Sequence, residues 1–124
     1  MLRRAVAALA SSAALATVLV AAPTASAEPN PADCPKGYFC AWEGPDQTGR
    51  QVVRTAGNWT GWAWYQSYFN NGYVSPGADH VDLHYNWQGL DGSFCVHYNP
   101  GPGNYKGSVS PGVVITGVVW RGEC

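Results

Sequence analysis

Few side chains in this 124-residue chain react or ligate readily near neutral pH. The main ones are four cysteines (Cys34, Cys40, Cys95, Cys124) and three histidines (His80, His84, His97). Four cysteines in a small exported domain imply two disulfides, and three pairings are open to them. A Cys34–Cys40 bridge would close a short loop through Pro35 and Gly37, residues suited to a tight turn. A Cys95–Cys124 bridge would tie the end of the chain to an interior strand, contributing about 3–4 kcal/mol in the chain-entropy picture. A zinc finger or ribbon is not indicated, because no CxxC pair occurs. His80, Asp82 and His84 alternate and would share one strand face, which fits a metal site but equally an ordinary polar surface. Neither metal nor cofactor is therefore expected. With both bridges formed there is no thiol nucleophile, and Gly-x-Ser-x-Gly and His-Glu-x-x-His are both absent, so no enzyme is expected.

Cys95 lies in Gly92-Ser93-Phe94-Cys95-Val96-His97-Tyr98, where apolar and small or polar residues alternate as in a strand. The stretch echoes an earlier one. Trp42 precedes Tyr85, Gly49 precedes Gly92 and Val53 precedes Val96, each by 43 positions. At that spacing Val52 of the first copy becomes Cys95 of the second. A covalent anchor beside an apolar residue would hold a binding segment rigid.

The elements that must position these residues begin after an export signal. Met1-Leu2-Arg3-Arg4 leads into an alanine-rich apolar run from Ala5 to Ala22, and Ala25-Ser26-Ala27 fits the small-x-small cleavage rule. The run is nearly long enough to span a bilayer, but it is mostly Ala and Ser and lacks a stop-transfer flank. Residues 1–27 are therefore expected to be a secretory signal, and residues 28–124 a secreted domain with no membrane partner. Without Arg3 and Arg4 the chain carries five basic against eight acidic residues, a formal charge of −3. No basic stripe is present, which argues against a nucleic-acid partner. Roughly a hundred residues make one small domain that benefits from covalent staples.

Short strands are expected at Tyr38–Trp42, Gln51–Thr55, Val81–Tyr85, Ser93–Tyr98 and Val113–Arg121, with Ser67–Gly72 a strand running into a tight turn. Turns are expected at 43–49 and 86–92, with a Gly- and Pro-rich loop at 99–107. Helical periodicity is nowhere sustained. The pattern predicts an all-β sandwich or barrel, with two copies of a four-strand unit packed as two Greek keys.

Tyr38-Phe39-Cys40-Ala41-Trp42-Glu43 followed by Gly49-Arg50 resembles the βγ-crystallin Greek-key pattern. Cys34-Pro35-x-Gly37-x-Phe39-Cys40, Ser67-Tyr68-Phe69-Asn70-Asn71-Gly72 and Cys95-Val96-x-Tyr98 are similar to the secreted bacterial peptidase inhibitor family I36. The resemblance implies a βγ-crystallin-like double Greek-key sandwich stapled by two disulfides. It also implies inhibition of an extracellular metalloprotease of the thermolysin type. Such enzymes polarise a scissile carbonyl on zinc and favour a bulky apolar residue just after it. On this reading Cys95 precedes the mimicked bond and Val96 follows it. Phe94 and Tyr98 flank the contact, and His97 lies near the enzyme's carboxylates. Burial of the strand would conflict with access unless Cys95-Val96 lies at an edge or bulge.

The aromatics Trp59, Trp62, Trp64 and Tyr65 are expected mainly in packing. Exposed instead, they would favour a second reading, a crystallin-like module that binds cell-wall carbohydrate or acts as a toxin. The Asx pair that precedes a Ser/Thr-Ser step in calcium-binding crystallin domains is missing from both copies. The domain is expected to be a monomer.

Overall fold

The computed structural model describes residues 12–19 and 26–124. The expected signal segment 1–27 falls largely outside these residues. Among the described residues no helix is long and apolar enough to cross a membrane. The described residues form six strands: β1 (Phe39–Trp42), β2 (Gln51–Thr55), β3 (Trp59–Asn70), β4 (His80–Trp87), β5 (Leu90–Val96) and β6 (Lys106–Arg121).

All strand pairs are antiparallel, in one sheet of order β2-β1-β3-β6-β4-β5. The two long strands, β3 and β6, give the sheet its shape. Between Tyr65 and Ser67 of β3 the partner on β6 jumps from Val113 to Ser108. Such irregularities bend a strand and increase its local twist. Beyond the break, residues 67–70 of β3 pair with β1, and residues 67–69 also pair with 106–108 of β6. Before it, residues 59–65 of β3 pair with 113–118 of β6, whose other edge pairs with β4. The sheet thus folds over into two layers, β2-β1-β3-β6 and β5-β4-β6-β3, which share both long strands.

Between the layers lies the main core. Phe39, Ala41, Val53 and Tyr68 from one layer pack with Tyr65, Val81, Leu83, Val96, Ile115 and Val118 from the other. The Tyr68 and Phe94 rings meet at 5.4 Å. β1 is buried along its whole length because its alternate residues serve two clusters. Phe39 and Ala41 face the main core, while Cys40 and Trp42 join Cys34 and Phe69 in a second cluster. The structure has Cys34–Cys40 and Cys95–Cys124 bridges, with Cα separations of 6.0 and 5.7 Å.

The hairpins β1–β2 and β4–β5 occupy equivalent outer edges. Val53 opposes Ala41, and Val96 opposes Val81, as the 43-residue spacing anticipates. Their tips differ from each other. The 43–49 turn is folded back onto the sheet by buried Ser67, whose Oγ donates to Gly44 O at 2.6 Å and accepts from Gln47 N at 2.8 Å. Gly49 has φ +77° and approaches Gly44 closely, so a side chain there would be strained. In the second hairpin Ile115 stands opposite Tyr85, as Ser67 stands opposite Trp42. Ile115 offers no hydrogen bond, and the tip is a two-residue turn at Gln88-Gly89. Both residues have positive φ, the conformation that suits a tight hairpin.

This corrects the expected 86–92 turn, since strand pairing continues to Trp87 and Leu90 and Asn86 bonds Asp91 across the ladder at 2.8 Å. The aromatic stretch 59–65 is likewise a strand, continuous with 67–70.

Candidate functional site

Among the described residues β5 has a strand neighbour on one side only, so the Cys95-Val96 step lies at a sheet edge. Its side chains nevertheless turn inward. Val96 is 1% exposed and belongs to the main core, so its side chain cannot enter another protein's pocket in this fold. Phe94 is directed the same way, against Tyr68 and against Tyr85 at 6.0 Å. The cause is strand periodicity: Phe94 and Val96 are two apart and opposite Leu83 and Val81, so one apolar face turns all four toward the core. His97 does not project toward a partner either. Its Nδ1 lies 2.9 Å from His80 Nε2, and its backbone N–H donates to Asn104 O. Tyr98 sets its ring edge-on to His80 at 5.5 Å. Cys95 is half-buried and bridged to Cys124.

Another valine-bearing segment near a disulfide is displayed instead. Between β3 and β4 the chain passes through Gly72-Tyr73-Val74-Ser75-Pro76-Gly77, a loop without a charged residue. Tyr73 is 65% exposed and Val74 62%. The loop's base is held by Asn70, which is fully buried. Asn70 Oδ1 accepts from Gly72 N at 3.0 Å, while its Nδ2 donates to Asp79 O at 3.0 Å. One amide therefore ties the beginning of the loop to its end. Asn71, also buried, donates through Nδ2 to Cys34 O at 2.9 Å, and its backbone pairs with Gly37 and Tyr38. This fastens the loop to the peptide around the Cys34–Cys40 bridge. Within the loop, Ser75 N donates to Asp79 Oδ2 and Ala78 N to Ser75 O. Tyr73 lies across Gly37, where a Cβ would meet its ring at 2.7 Å.

Asn70-Asn71-Gly72 was visible in the sequence, but Tyr73 and Val74 were not singled out. Two exposed apolar residues inside a Gly- and Pro-rich stretch carry no periodic signal. The available sign was the pair of adjacent asparagines, a residue type able to bond several backbone groups at once.

Three further features bear on what the surface can do. Trp62, Trp64 and Trp87 are exposed around a concavity of about 410 Å³, so two of the four aromatics expected mainly in packing face solvent. Trp59 packs against the core and Tyr65 lies inside it. Among the described residues the Tyr65 hydroxyl has no hydrogen-bond partner, and burial pushes its pKa well up. Glu28 is held by several contacts. Its N–H donates to Asn99 Oδ1, its C=O accepts from Asn99 Nδ2, and its carboxylate accepts from Lys106 Nζ at 2.8 Å and Tyr105 Oη at 2.6 Å. The bonds from Lys106 and then Tyr105 lower its pKa.

No curated protein and no solved structure matches the chain significantly. The segment 27–76 carries the Cys34–Cys40 bridge, strands β1 to β3 and the Tyr73-Val74 loop as far as Pro76. That segment matches the family model for peptidase inhibitor family I36.

Proposed function

We propose that this protein is a peptidase inhibitor, supported by the family match over residues 27–76, that acts on extracellular metalloproteases of the thermolysin type, and that the loop 72–77 is the segment it presents to them. The observation that carries the reading is the Asn70 clamp beneath an exposed Tyr73-Val74 step. Thermolysin-type enzymes polarise the scissile carbonyl on zinc and receive an apolar side chain just after it. The Tyr73 carbonyl and the Val74 side chain can supply those two features. A clamped loop loses little freedom on binding, so more of the contact energy appears as affinity. After cleavage the scaffold would keep the two ends together, favouring religation over release. The stretch 94–98 remains a second candidate contact through the backbone of edge strand β5, because an exposed strand edge can pair with an extended partner.

The swapped halves of β3 and β6 support a βγ-crystallin-like double Greek key. A domain of residues 28–124 is supported by Glu28, which is bonded into the fold at the expected start of the mature chain. The two disulfides fit an oxidising extracellular compartment, with residues 1–27 as the export signal. The domain is read as a monomer.

The test is titration of the oxidised protein against a thermolysin-like enzyme, with subtilisin and trypsin as controls. Near-stoichiometric inhibition of the zinc enzyme, lost in Val74→Asp, supports the loop. Inhibition that survives Val74→Asp transfers the contact to β5, and inhibition of subtilisin or trypsin alone rejects the metalloprotease. The exposed Trp62, Trp64 and Trp87 favour a second reading, binding of cell-wall carbohydrate. Retention on insoluble glycan without inhibition of any peptidase would select it.

A further inference from the structure

We propose that His80, His97 and Glu123 form a site for a divalent transition-metal ion of the zinc type, with Asp79 holding His80 in its ligating tautomer. Asp79 and His80 are almost completely buried, with side chains 4% and 1% exposed. His80 Nδ1 lies 2.6 Å from Asp79 Oδ1, and the other Asp79 oxygen accepts from Ser75 N at 3.0 Å. A carboxylate that only accepts places the imidazole proton on Nδ1, leaving a lone pair on His80 Nε2. Metal-ligating histidines commonly show this arrangement, in which the non-ligating nitrogen donates to a carboxylate.

His80 Nε2 faces a second imidazole nitrogen, His97 Nδ1, at 2.9 Å. The ring centroids are 4.6 Å apart and the planes cross at 68°, so the two nitrogens meet at an angle instead of head-on. With zinc–nitrogen bonds of about 2.0–2.1 Å, a tetrahedral ion sets its two nitrogens about 3.3 Å apart. A few tenths of an ångström of opening therefore admits the ion. Binding replaces the proton shared by the two rings, and His97 carries its proton on Nε2 instead.

The third donor comes from the C-terminal tail. Glu123 Oε2 is 3.8 Å from His80 Nε2, and its side chain is 85% exposed, free to swing inward. The sulfur of Cys124 lies within 4.8 Å of the histidine donor atoms, but its bridge to Cys95 removes the thiolate that would bind metal. The bridge instead keeps Glu123 beside the two rings. His97 is held from behind as well, because a Cβ on Gly103 would overlap its ring. Two imidazoles and one carboxylate, with water in the fourth place, suit zinc or cobalt and not calcium or magnesium. The pairing of His80 with His97 joins β4 to the end of β5, whereas sequence alternation had pointed to His80, Asp82 and His84. Asp82 is engaged by Arg121 at 3.2 Å, so that face of β4 has its own partner.

The experiment is titration of the purified, disulfide-bonded protein with Co2+, followed by visible absorption and then by Zn2+ competition. The expected result is one equivalent of a tetrahedral cobalt spectrum, displaced by Zn2+ but not by Ca2+ or Mg2+. Melting temperature should rise with the metal and return with a chelator. Glu123→Gln should weaken binding about 10-fold, and His97→Gln should abolish the spectrum. His84→Gln should change neither. Because Glu123 is exposed, its variant reports on ligation even if His97→Gln disturbs the fold. No spectrum at millimolar metal, or affinity unchanged by His97→Gln and Glu123→Gln, overturns the site. Loss of binding in His84→Gln alone does the same.

Discussion

Val74 and Val96 each lie near a cysteine-anchored segment, yet one stands in solvent and the other is sealed in the core. Val96 is held by its side chain. It sits on the inward face of β5, and its burial stabilises the sandwich. Val74 sits in a loop held through the main chain at its two ends, Gly72 and Asp79, by one buried amide. A nearby disulfide therefore says little about display. What matters is whether the fold grips the side chain or the main chain around it.

The comparison is broken most directly by exchanging the two losses. Val74→Asp should reduce inhibition at least about 100-fold, equivalent to roughly 2.7 kcal/mol of contact, without moving the thermal midpoint. Val96→Ala should do the opposite. It should cost roughly 2–3 kcal/mol of stability from lost burial and the cavity left behind, while the folded fraction inhibits normally. Chemical denaturation and inhibition assays on the same samples check both. If Val96→Ala loses inhibition at full folding, the two valines have been assigned the wrong way round.

Asn70→Ala sharpens the contrast. It removes the clamp and leaves the Gly72 N–H and the Asp79 carbonyl without their partner, at a cost of about 1–3 kcal/mol. The loosened loop should be cleaved between Tyr73 and Val74 and released. Mass spectrometry after incubation with the peptidase would show the two-chain product accumulating as inhibition decays.

Tyr65→Phe tests the core side of the comparison at smaller scale. The Tyr65 hydroxyl is buried without a partner among the described residues, so its removal should leave stability unchanged or raise it by up to about 1 kcal/mol. A clear loss on denaturation would reveal a bond to this hydroxyl.

The smallest effect is expected at Glu28, which is tied to the loop following β5. Its carboxyl pKa is lowered in the fold, so the unfolded chain takes up the proton first as pH falls. The stabilising contribution is complete above the ordinary carboxylate range and disappears as pH falls through the lower folded value. Glu28→Gln should flatten the acid side of a melting-temperature profile slightly, with no change at neutral pH in the ranking of Val74 and Val96 variants.

The all-β class and the approximate positions of most strands were legible because alternation and turn residues are local signals. The 43-residue echo correctly placed Val53 and Val96 at matching sites on the two edge hairpins. What alternation could not say was which face of β5 turns inward, since that depends on Val81 and Leu83 across the ladder. The continuity of β3 was missed because Gly61 and the crowded tryptophans obscure its period. The His80–His97 contact was beyond reach for the same reason as the loop clamp: both join residues whose neighbourhood is created only when β3, β4 and β5 meet.

The sharing of β3 and β6 also has a consequence for biogenesis. Each layer needs part of β6, so a nascent chain ending before Lys106 can complete neither. Late closure of long-range pairings slows folding. Until β6 emerges, both layers lack a strand that only it supplies, so neither half can close as an independent folding unit.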